Sequence, residues 1–132
     1  MERENINLNE ELYKRKGYTW SDAVKKGKII MISGIVSVDE RHHPLHPGDL
    51  EAQMREIYEQ IKKLLEKAGA TFDDVIKTVD YITPQALPEY AKTAQIRREY
   101  FKGNFSAATG IVVNRLLHPD WLIEIDAIAV LD

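Results

Sequence analysis

The residues best suited to chemistry are two carboxylates on one stretch. Glu124 and Asp126 sit within Leu122-Ile123-Glu124-Ile125-Asp126-Ala127-Ile128-Ala129-Val130-Leu131, a run otherwise apolar, rich in isoleucine and free of Gly and Pro. That composition reads as a central strand. Strand side chains alternate faces, so Glu124, Asp126 and Ile128 point one way. Ile123, Ile125, Ala127 and Ala129 line the other face and suit a core packed against helices. A carboxylate in such a strand either meets solvent or sits in a site. In a site, burial penalises the charge and raises the pKa, which fits the group to accept and return protons. On these residues alone both readings stay open.

Other candidates are weaker. Ser33-Gly34 interrupts the apolar run Ile29 to Val38. A Gly inside a strand marks a bulge, a close approach to the backbone, or simply tight packing. His42, His43 and His46 lie close together in the stretch Asp39 to Gly48 and invite a metal reading. That stretch also holds Pro44 and Pro47 and has no regular frame to fix ligands, so no metal or cofactor is expected. The chain contains no cysteine, which excludes disulfides, thiolate nucleophiles and thiolate metal sites.

The elements that must hold these residues follow from the pattern. The 132 residues fit one domain with one core, residues 1–132. The net charge of -3 and the scattered basic residues give no track for nucleic-acid phosphates. No apolar run spans a membrane and no signal peptide opens the chain, so a soluble, cytoplasmic protein is expected. Residues 1–16 read as a polar arm or edge strand. Gly17 to Val24 and Ile29 to Val38 read as a hairpin around Lys25-Lys26-Gly27-Lys28, with Gly27 at positive φ. Asp49 to Ala68 reads as a helix, with Leu50, Met54, Ile57, Ile61, Leu64, Leu65 and Ala68 on one stripe. Val75 to Ile82 reads as a third strand. Pro88 to about Phe101 reads as a second helix, whose weaker apolar face is Tyr90, Ala91, Ala94, Tyr100 and Phe101. Ala107 to Leu116 reads as a further strand before the last. The fold class is therefore α+β, a mixed sheet with two helices on one face. Apolar residues left on the other face favour an oligomer.

In that order and spacing the residues resemble the Rid family, the RidA or YjgF-like proteins. The match runs through Trp20-Ser21-Asp22-Ala23-Val24, Ser33-Gly34, Gly48-Asp49-Leu50-Glu51-Ala52-Gln53, Lys67-Ala68-Gly69-Ala70, Asp74-Val75-Ile76-Lys77-Thr78 and Glu124-Ile125-Asp126-Ala127-Ile128-Ala129. The resemblance implies a chorismate-mutase-like fold and a homotrimer with pockets between subunits. It also implies cofactor-free hydrolysis of small imines and enamines to a carbonyl compound and ammonia. Glu124 would then position the attacking water, with Ser33, Gly34 and Trp20 lining the pocket. The family's substrate clamp is an arginine. Counted back from Glu124 without a gap, its place is taken by Thr109, whose neutral hydroxyl cannot form a bidentate ion pair with a carboxylate. Arg115 lies about 20 Å further along by strand rise, and Arg97 and Arg98 read as surface residues of the second helix. The implied function is an imine deaminase-like hydrolase whose substrate is not a simple 2-imino acid. The alternative is a non-catalytic small-molecule-binding trimer. RNA cleavage, a third reading, finds no basic track or histidine pair on rigid elements.

Overall fold

The computed structural model describes residues 2–132. Six strands form one sheet in the order β1-β2-β3-β6-β4-β5: β1 Arg3–Ile6, β2 Ala23–Lys26, β3 Ile29–Ile35, β4 Val75–Ile82, β5 Ala107–Val112 and β6 Ile123–Val130. The last strand is the hub. It pairs antiparallel with both β3 and β4, and β5 joins the far edge parallel to β4.

Helix α2 (Leu50–Lys67) covers one face of the sheet. Asp49 caps it by accepting a hydrogen bond from the Ala52 amide at 3.0 Å. Gly69 breaks it at φ +80°, where a side chain would be strained. Every residue of its apolar stripe is buried, against Ile123, Ile125, Ala127 and Ala129 among others. Each large side chain on that stripe contributes about 1.5–3 kcal/mol by leaving water.

Pro88 opens a 3₁₀ stretch, Leu87–Thr93, which continues into α3, Ala94–Phe101. Ile96 on α3 is fully buried, although the helix was expected to turn a different set of residues inward. Together α3 and β5 complete a strand-helix-strand crossover from β4.

Four expectations are corrected. Residues 1–16 do hold a short edge strand, β1, but also a helix that was not expected, α1 (Glu10–Lys16), which buries Leu12 and Tyr13. The described residues therefore hold three α-helices, not two. Gly17 to Val24 is not one strand, because Gly17 ends α1 at φ +66° and pairing begins only at Ala23. The strand from Ala107 stops at Val112 and is exposed along its length, since nothing in the protomer pairs with its outer edge. Arg115 consequently lies in a loop, where its guanidinium donates to the carbonyls of Leu116 and Leu117 at 2.9 and 3.2 Å.

The second face of the sheet carries no helix. Register aligns Val24, Met31, Ile128, Lys77 and Ala107 in one row across it. Asp126, Val79 and Thr109 form the next, and Glu124, Tyr81 and Ile111 the one after. Met31 is 51% exposed and Ile111 41%. None of the helices among the described residues is long and apolar enough to cross a membrane.

Candidate functional site

Strand β6 delivers Glu124 to the open face, and the irregularity in β3 makes room for it. Pairing between β3 and β6 slips between Ile32 and Ile35, which leaves Ser33 and Gly34 as a bulge. A Cβ built on Gly34 would lie 2.2 Å from Glu124 Oε2 and 2.8 Å from its Cδ. The Glu124 carboxylate therefore lies directly against bare backbone, which only glycine permits. Burial, with the nearby Asp126 charge second, pushes its pKa above the ordinary glutamate range. It makes no side-chain hydrogen bond or ion pair among the described residues. Asp126, by contrast, is satisfied: the Tyr81 hydroxyl donates to it at 2.8 Å. That bond also raises the phenol's pKa.

The bulge is fixed from behind. The Ser33 amide donates to the Asp22 carbonyl at 2.8 Å, and its hydroxyl to the Ser21 carbonyl at 2.5 Å. Asp22 is itself buried. Its carboxylate accepts from the Leu8 amide at 3.0 Å and from the Tyr13 hydroxyl, while its amide donates to Asn7 Oδ1 at 2.7 Å. Burial and this carboxylate push the Tyr13 phenol up. The N-terminal segment thus clamps residues 20–22 against β3. Trp20 ends up one residue from the carbonyl that holds Ser33. It stacks on Tyr18 at 4.4 Å between ring centroids yet remains 49% exposed.

Of the residues singled out in the sequence, Gly34 and Glu124 meet; Ser33 adjoins Gly34 but spends its hydroxyl on the Ser21 carbonyl, and Trp20 is linked to them only along the chain through Ser21. Thr109 does not join them within one protomer. It lies on β5, paired with Val79 of β4 and two strands from β6, which puts it about 12 Å from Glu124 by sheet spacing. There it accepts a hydrogen bond from Lys77 Nζ at 2.7 Å. Sequence reasoning passed over Lys77 and Tyr81. The alternation of β4 would have put both on one face, but only register aligns that face with Glu124.

Gln53 closes the segment Gly48-Asp49-Leu50-Glu51-Ala52-Gln53 and acts through hydrogen bonds. Its buried amide donates to the His46 and Asp120 carbonyls at 3.0 and 2.8 Å and accepts from the Leu122 amide at 2.9 Å. It thereby anchors both the histidine loop and the entry to β6.

A cavity of about 1220 Å³ lies elsewhere, between α1, the histidine loop and α2. Glu124, Ser33, Gly34, Thr109 and Trp20 do not line it. His42 does, half-buried, with burial lowering its pKa. No group of three or more His, Cys, Asp or Glu side chains among the described residues is arranged to hold a metal ion.

The family model described as Endoribonuclease L-PSP matches residues 14–131. The chain belongs to this family, that of the YjgF and RidA proteins. A RutC family protein of Pyrococcus horikoshii is 36% identical over 110 residues, covering 83% of this chain and 85% of the relative. The 3-aminoacrylate deaminase RutC of Acinetobacter baylyi is 36% identical over 107 residues, covering 81% and 82%. Among solved structures, a YjgF-family protein from Mycobacterium tuberculosis superposes with a TM-score of 0.80 at 25% identity, covering 98% and 100%. The mixed α+β fold is thus the fold of L-PSP family structures.

Proposed function

We propose that this L-PSP family chain is an imine/enamine deaminase. The observation that carries the reading is the Glu124 carboxylate, unpaired, raised in pKa and laid over the bare backbone of Gly34. Water adds to the carbon of a protonated C=N bond while Glu124 takes one of its protons, giving a neutral carbinolamine. Glu124 returns that proton to nitrogen, and as the C–N bond breaks the carbinol O–H proton passes to the Glu124 carboxylate, so the carbonyl compound and ammonia leave. A pKa raised by burial suits a group that must both take and return a proton. No cofactor is called for.

The nature of one relative, named a 3-aminoacrylate deaminase, supports the reaction class. With threonine rather than arginine at position 109, a simple 2-imino acid is not the expected substrate; an imine whose carboxylate is placed differently, or absent, is. Ser33, Gly34 and Trp20 line the pocket in this reading, and Thr109 belongs to the part of it supplied by a neighbouring subunit of a homotrimer. The open sheet face forms the inside of that trimer. The cytoplasm, where short-lived imines arise, is the fitting location. RNA cleavage is not favoured, because Glu124 and Asp126 side by side repel phosphate.

The test is ammonia release from freshly generated imines with and without a carboxylate, comparing wild type with Glu124→Ala. The reading requires turnover that falls by roughly 100-fold or more in the variant, as loss of a general acid-base does. Absence of turnover on every imine, with ligand-dependent stabilisation of the folded protein, transfers the assignment to a non-catalytic binding protein.

A further inference from the structure

A second cleft, of about 250 Å³, opens between α3 and the free edge of the sheet. It lies on the helix-covered side of β5, opposite the face that bears Glu124. Its walls are Arg97, Arg98, Phe101, Phe105, Ser106 and Ala108. The two arginines differ in their circumstances. Arg97 is locked in place: Nη1 donates to Thr93 Oγ1 at 2.9 Å and stands 3.6 Å from the buried Asp80 carboxylate. Its guanidinium also lies 5.2 Å above the Tyr90 ring. Asp80 answers the charge of Arg97 and in turn accepts from the Tyr90 hydroxyl at 2.6 Å. Arg98 has no side-chain hydrogen bond or ion pair among the described residues, so the cleft holds one uncompensated guanidinium.

The rest of the lining is apolar or lightly polar. Phe105, 57% exposed, stands with its ring tilted 54° to that of the buried Phe101, centroids 6.5 Å apart. Ser106 shares one hydrogen bond with Thr78 at 3.3 Å, which leaves its hydroxyl with capacity for another. Ala108 is small and keeps the floor open. One net positive charge, a planar fork of donors and an aromatic wall match a single planar anion carried on an apolar body. A phosphate would bring two charges to one free cation and no use for the rings.

We infer that the α3–β5 cleft binds a small carboxylic acid with an apolar tail, with Arg98 as the residue that recognises the carboxylate. Arg97 fixes the wall beside it, the exposed Phe105 ring takes the tail over the edge of Phe101, and Ser106 supplies a second hydrogen bond. The inference stands apart from the catalytic role of Glu124, because within a protomer the two sites lie on opposite faces of the sheet.

The probe is 3-phenylpropionate, an unreactive acid, with 3-phenylpropionamide as the neutral twin. Amide resonances of the intact protein are followed by NMR while each is titrated. The acid should shift Ser106 and Ala108, and the amide should bind roughly tenfold more weakly or worse, as loss of a charge-assisted pair requires. Arg98→Ala should weaken the acid by a similar factor of about ten, Arg98→Lys should restore part of it, and Glu124→Ala should leave it unchanged. Arg98 is exposed and unpaired, so its variants keep the fold. Equal binding of acid and amide, indifference to Arg98→Ala, shifts confined to other regions, or no binding in the millimolar range would each overturn the inference.

Discussion

Gly34 and Glu124 act as one unit, and each explains the other. Glycine inside a strand weakens it, yet here any Cβ would strike the carboxylate. The obstructing atoms are the far end of a flexible side chain, so Gly34→Ala should fold with a stability loss of only about 1 kcal/mol. It should nevertheless lower ammonia release by roughly 10- to 100-fold by swinging Glu124 off its position. Steady-state assay with denaturant melts separates these effects, and a matching collapse of stability would count against the positional account. The Glu124 pKa carries a second consequence. An acid whose folded-state pKa lies above its unfolded value stabilises the fold when protonated. That stability is present below the unfolded pKa and is lost as pH rises through the folded one. Glu124→Gln should therefore melt higher than wild type at pH 8, by a few degrees, while the gap closes toward pH 4. Thermal melts across that range, with activity lost at every pH, would show a site held at the expense of stability. This pairing was readable in part. A Gly in a strand and a carboxylate in a central strand are both unusual residues for their places, and so they drew attention. Lys77 and Tyr81 are ordinary residues of a half-exposed strand, and only pairing register gives them meaning.

At the scale of elements, legibility followed the length and strength of the repeating pattern. Helix α2 could be read because a stripe of large apolar residues persists over 18 residues and is framed by Asp49 and Gly69. Strand β6 alternates cleanly, and β4 does so from Lys77 onward, beyond a bulge near its start. Helix α1 has seven residues and buries only Leu12 and Tyr13, too few positions to establish a period. The end of β5 was overrun because Ile111, Val112 and Val113 look like core, although as a free edge strand β5 buries none of its residues. Gln53 illustrates what periodicity hides: it falls within the buried surface of α2 and acts through hydrogen bonds, not packing. Gln53→Ala would strand the His46 and Asp120 carbonyls and the Leu122 amide. The expected cost is about 2–4 kcal/mol, the sum of several buried groups left partly unsatisfied. Hydrogen exchange should show faster opening at Leu122 and in the histidine loop, with the middle of α2 still protected by its stripe. Uniform destabilisation without that local signature would mean that the amide is merely filling space.

The whole molecule presents one helix-covered face and one bare face, and the bare face is where the protomer is unfinished. Val24, Ile29, Met31, Val79, Ile111, Ile128 and Val130 stand there beside Glu124 and Asp126, an apolar expanse on the very surface that bears the candidate site. A patch of this kind on a sheet calls for a partner, and the homotrimer reading supplies a second and third copy of the same face. Met31 tests it well, since it is 51% exposed in the protomer and sits in the central row. In an isolated chain Met31→Lys changes only a surface residue, worth within about 0.5 kcal/mol. Between packed copies it forces an unpaired charge out of water in every subunit, at a cost of several kcal/mol each. Light scattering should therefore show wild type at a multiple of the 15.2 kDa chain mass and Met31→Lys at the chain mass itself. Ammonia release should disappear with the assembly if Thr109 of one copy completes the pocket around Glu124 of another. A variant that becomes monomeric yet keeps its turnover would locate the entire reaction within one protomer, around Gly34 and Trp20 alone.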